Sequence, residues 1–188
     1  MNKIVPVALM VGVLVAISAF GYGYVSGTQV KDGLGVAGWV KVQVVRDGKI
    51  VYFSEGHNLI VDQGKDIIVK QVAGGNNATV KYNPNGTIFI ALTTTAITPA
   101  AGDTTLSGEI TTGGLARAAG TLGHTNGTST FTIRKTFTAS GSFTGVQSAG
   151  LFNQPTSSTS GMLAENTFSS VNLISGDQIT ITWTITIA

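Results

Sequence analysis

The chain has 188 residues, a formal net charge of +2, 11% charged side chains and no cysteine. The lack of cysteine excludes disulfides, thiolate nucleophiles and Cys-ligated metals. The basic residues are scattered and form no stripe that would neutralise phosphates, so the sequence argues against a nucleic-acid partner.

The first element is an uncharged run, Ile4–Val25 (IVPVALMVGVLVAISAFGYGYV), preceded by Lys3. Roughly 22 apolar residues suffice for an α-helix to cross a ~30 Å hydrocarbon core. Three readings suit such a run: a secretory signal peptide, a permanent membrane anchor, or a helix held first in a membrane and later packed into a filament. Signal h-regions usually run only about 7–15 residues. Ala8, Gly12 and Ala16 recur every fourth position, as do Ala19, Gly23 and Gly27, and small residues at that spacing let helix backbones approach closely. Ala and Gly are also common in any apolar helix. The expectation is a hydrophobic N-terminal helix over 1–27 and a β-domain over 28–188. Lys3-Ile4-Val5-Pro6-Val7-Ala8 and the aliphatic run after it resemble the start of archaeal type IV pilins, although Val5 stands where that family commonly has Ser. The resemblance implies a helix that forms a filament core.

Gly33–Gly38 matches GxGxxG formally, but the alternating Trp39-Val-Lys-Val-Gln-Val-Val45 that follows reads as a strand and opens no helix. Trp39–Arg46, Asp47-Gly48 and Lys49–Ser54 together predict a hairpin with a type I′ turn. A short strand over Asn58–Val61 follows, then a helix over Gln63–Val72 capped by Asp62 and ended by Gly74-Gly75. Asn76–Gly86 reads as loop with a short run at Thr79–Tyr82, and Thr87–Thr93 as a buried strand. Short strands are expected over Thr104–Ile110 and Leu115–Leu122, and longer ones over Ser129–Thr138, Ser142–Phe152 and Met162–Val171.

The last strand, Gln178–Ile187, alternates throughout. Ile179, Ile181, Trp183, Ile185 and Ile187 share one face, the core face, and threonines share the other. Such a strand completes its own sheet or is donated to a neighbour's, and the other strands' need for a partner favours the first. The fold class expected is mainly β: a hydrophobic N-terminal α-helix followed by an antiparallel β-sandwich or jelly-roll-like domain. Ala149–Asn153, Met162–Phe168 and Val171–Ile185, with His57–Gly64 and Asp103–Glu109, resemble the β-domain of phage tail-fibre-type virion proteins and archaeal surface proteins. That resemblance implies a fold and no catalytic residues.

Chemistry-bearing patterns are sparse. His57 and His124 are too few for a three-His zinc site, no GxSxG elbow is present, and the carboxylates are dispersed. No metal or cofactor site is expected, although Asp103 and Asp177 are loop carboxylates of the type that bind calcium. Asn77, Asn85 and Asn126 each open an N-x-Thr sequon in a predicted loop, where an exported protein can carry glycans, a pattern that abundant Thr also produces by chance. Beyond Tyr82 the only charges are Asp103, Glu109, Arg117, Arg134, Lys135, Glu165 and Asp177, so little repulsion opposes contact between copies. The sequence therefore points to a structural subunit of an extracellular, pilus-like filament and not to an enzyme. Its partners would be copies of itself, with a membrane before assembly. The alternative is a virion structural protein, membrane-anchored or spike- or fibre-like.

Overall fold

A computed structural model describes residues 35–73, 88–157 and 160–187. Ten strands and one helix are seen there, in two five-stranded antiparallel sheets. Sheet A has the order β2-β1-β10-β7-β6, from β1 (Val36–Arg46), β2 (Lys49–His57), β6 (Thr121–His124), β7 (Thr130–Thr138) and β10 (Gln178–Ile187). Sheet B has the order β3-β9-β8-β4-β5, from β3 (Leu59–Ile60), β4 (Phe89–Thr93), β5 (Ala118–Ala119), β8 (Phe143–Phe152) and β9 (Met162–Leu173).

Local chemistry explains the first hairpin. Asp47 and Gly48 both take positive φ, 50° and 74°, as a two-residue I′ turn requires, and Arg46 pairs with Lys49 across it. A bulge at Val44/Val45 then shifts the register. β10 lies at the centre of sheet A, between β1 and β7, so the terminal strand completes its own sheet. Ile179, Ile181, Trp183 and Ile185 are buried, and Ile187 is half-buried at the sheet's end.

The core sits between the sheets. Val40, Val42, Ile133, Phe137 and Trp183 of sheet A join Ile90, Leu92, Val146, Leu151 and Phe168 of sheet B in one cluster. Each such side chain contributes about 1.5–3 kcal/mol by leaving water. The helix α1 (Asp62–Ala73) lies against β9. Gly64 permits the approach, because a Cβ there would meet the Leu163 carbonyl. Gln63 Oε1 accepts from Gly161 N (2.7 Å) and Met162 N (3.0 Å), tying the helix start to β9.

Several expectations need correction. The expected hydrophobic N-terminal helix is no part of the described fold. α1 is the only helix among the described residues, and no helix there is long and apolar enough to cross a membrane. Residues 1–27, with the packing positions Ala8, Gly12, Ala16, Ala19 and Gly23, lie outside the described residues. Physically, apolarity and helix formation are separate properties. Ile4–Val25 holds six valines and three glycines, residue types that lower helix propensity.

The described topology is a sandwich, without the jelly roll's wrapping, in which successive strands mostly alternate between sheets. Here β1–β2, β6–β7 and β8–β9 are each paired within one sheet. Thr104–Ile110 is not a strand. It makes one isolated bridge, Thr93 to Glu109, because its polar atoms are drawn to the edge of β4 instead of into a ladder. Leu115–Leu122 divides into β5 and part of β6, which belong to different sheets. The run Thr79–Tyr82 lies outside the described residues.

Candidate functional site

The densest chemistry lies on the outer face of sheet B, under the segment that runs from Thr94 to Arg117. This segment is fastened along its length. Gln147 Nε2 donates to Thr94 O (2.7 Å), Thr167 Oγ1 to Ile97 O (3.3 Å), Asp62 N to Ala101 O (2.8 Å) and Ile110 N to Leu92 O (2.8 Å). The buried Thr93 hydroxyl is shared between Ser107 O and Gly108 O, each at 2.8 Å, and accepts from Thr95 N. Leu106 from the segment packs with Val61, Ala91, Phe152 and Met162 in a second apolar cluster.

Two ionisable groupings lie there, with Asp103 alone among their side chains partly exposed. Arg117 and Glu109 form a bidentate pair, Nε to Oε1 at 2.8 Å and Nη2 to Oε2 at 2.6 Å, with side-chain exposures of 1% and 2%. Arg117 Nη1 also donates to Gln154 O (3.1 Å), and the guanidinium lies 3.6 Å from the centroid of the Phe152 ring. Planar contact with an aromatic face and a forked carboxylate is the arrangement Arg serves best. The second grouping is Glu165 with Asp103. Ala100 N donates to both carboxyls at 3.0 Å. Burial pushes the Glu165 carboxyl up to about 7, and its hydrogen bond with Asp103 adds to the rise. At neutral pH the Glu165 carboxyl therefore holds a proton for part of the time.

Elsewhere Asp177 is buried and accepts from Arg46 Nε (2.8 Å), Arg46 Nη2 (2.6 Å) and Ile174 N (2.9 Å). The Arg46 hydrogen bonds hold its carboxyl below the usual range. Asp103 and Asp177, read from the sequence as calcium-type loop carboxylates, are thus engaged by protein donors. Among the described residues no group of three or more His, Asp or Glu comes together as a metal site. His124 is exposed on β6, with Nδ1 3.0 Å from Thr130 O, and His57 ends β2 beside Trp39. Asn126 is exposed in the β6–β7 turn, while Asn77 and Asn85 lie outside the described residues.

The enclosed groupings escaped the sequence reading because residues 103, 109, 117 and 165 follow no motif. One signal was available: in a stretch with only seven charges after Tyr82, four belong to this network.

The outer face of sheet A is the opposite case. Strand register sets Thr180, Thr182, Thr184 and Thr186 beside Thr136, Arg134, Thr132 and Thr130. Thr136 and Thr180 are joined at 2.8 Å, and Thr130 and Thr186 at 3.0 Å. A shallow cleft of about 460 Å³ lies along β6 and β7, lined by Thr121, Thr132, Arg134 and Thr136 among others. Trp39, Val51 and Phe53 are exposed on the first hairpin.

Comparison with protein-family models, with curated proteins and with solved structures finds no match.

Proposed function

We propose that the chain is a structural subunit of an extracellular filament. In this reading the β-sandwich is the repeated outward module, and copies associate through the apolar segment Ile4–Val25. The observation that carries it is a disparity of apolar surface. The sandwich core is closed by its own strands, down to the central placement of β10. The sequence nevertheless supplies a further uncharged stretch of roughly 22 residues, whose apolar surface gains about 25 cal/mol per Å² when removed from water.

Electron microscopy of the purified full-length protein tests the reading, with sedimentation of a variant lacking residues 1–27 beside it. Filaments with a helical repeat, and a monomeric variant, are expected. A variant that still polymerises would overturn association through the apolar segment. Copies embedded in a viral envelope or capsid would replace the filament with the virion alternative.

A further inference from the structure

Trp39 of β1 and His57 of β2 stand opposite each other in the strand register. Their rings are perpendicular, at 86°, with centroids 4.4 Å apart. Trp39 keeps 37% of its surface exposed, an unusual placement for the largest apolar side chain. Together with Ala37, Gly38, Thr184 and Thr186 the two rings bound a notch of about 200 Å³ on the outer face of sheet A. We propose that this notch binds one ring of a neutral glycan.

The argument is one of chemical match. A pyranose presents a face of C–H groups, which suits the electron-rich face of an indole, and a rim of hydroxyls, which needs donors and acceptors at the edge of the same platform. Thr184, Thr186 and His57 line the notch beside Trp39 and are the residues there that carry donors and acceptors. The notch is smaller than the 300–1,000 Å³ typical of pockets that enclose a drug-sized ligand, so it seats a single ring and leaves the rest of a chain outside.

Register supplies the continuation. A line across the strands runs His57, Trp39, Thr184, Thr132, and adjacent strands lie about 4.8 Å apart, so hydroxyls recur beyond the platform. Charge favours a neutral ligand. In the next line Lys41 and Glu55 neutralise each other at 3.3 Å, with Arg134 two strands beyond Lys41, and among the described residues that line the notch none is acidic or basic apart from His57.

The test uses the full-length protein and four soluble probes at millimolar concentration: maltohexaose, cellohexaose, chitohexaose and mannohexaose. Of the two tryptophans Trp183 is buried in the core, so emission changes report on Trp39. At least one probe should shift the emission saturably and give heat by calorimetry. Trp39→Ala should weaken that binding roughly tenfold or more, the usual result of truncating a central aromatic anchor. Thr184→Val should weaken it less, and Trp39→Phe should retain part of it, which keeps the test decisive if the alanine variant folds poorly. The proposal fails if none of the four probes binds, or if binding is unchanged in all three variants. It also fails if Trp39→Ala dissociates a dimer of the unliganded protein, which would make this face a contact between copies.

Discussion

The two sheets share one core and treat their outer faces in opposite ways. Sheet A leaves its face open, with threonines in register and Trp39 and Phe53 exposed on the first hairpin. Sheet B hides its face under residues 94–117 and encloses Glu109, Arg117 and Glu165 there. A hydroxyl on the open face keeps water as an alternative partner, so losing it costs little. A charge under the segment has only its protein partners, and losing one strands the other. Similar strands can therefore carry substitutions of very different consequence.

The largest effect should come from Arg117→Ala, which takes the forked guanidinium away from the buried Glu109 carboxylate. A loss of about 3–5 kcal/mol is expected in denaturant unfolding. Replacing both partners together, Glu109→Leu with Arg117→Met, should cost less than the single change. If the double variant were the worse, the pair would be a net source of stability and the comparison between the faces would need restating.

Next comes the pH dependence of Glu165. Its carboxyl is raised in the folded protein, so between the unfolded value and about 7 the native state binds more protons than the unfolded one. Stability from this group is fully present in acid and declines as pH rises toward about 7, by at most about 3 kcal/mol. Melting temperature measured from pH 4 upward should show the decline, and Glu165→Gln should flatten it. A Glu165→Gln profile identical to that of the parent would remove the acid pair from the account.

Asp177 should show the opposite sign with a smaller amplitude, because Arg46 is partly exposed and solvent screens the pair. Its folded-state carboxyl is lowered, so its contribution is present at neutral pH and lost as pH falls through the folded-state value. Asp177→Asn should reduce stability at pH 7 and remove that acid-side loss. The smallest effect belongs to the open face: Thr182→Val should change unfolding stability by no more than about 0.5 kcal/mol. A larger loss would show that the threonine rows of sheet A act as a network.

Much of the sandwich could be read along the chain because its signals are local. Alternation placed β10 at Gln178–Ile187, and Asp47-Gly48 placed the first turn, since side-chain period and turn φ are properties of neighbouring residues. The Thr104–Ile110 segment was misjudged for the same reason. Its pattern resembles a strand, but Thr93 and Leu92 captured its backbone for a covering segment. The platform at Trp39 was equally hidden: its residues alternate correctly for a strand, while the pairing with His57 and Thr184 depends on register between distant segments.

By itself the sequence determined that the described chain makes β-strands, which residues of each strand share a side, and that an uncharged apolar segment precedes them. Only the tertiary structure decided which side of each sheet meets water and which of the few charges are enclosed. Alternation is written into the backbone's period of two, whereas burial of Glu165 depends on Ala100, 65 residues away, arriving over the same face.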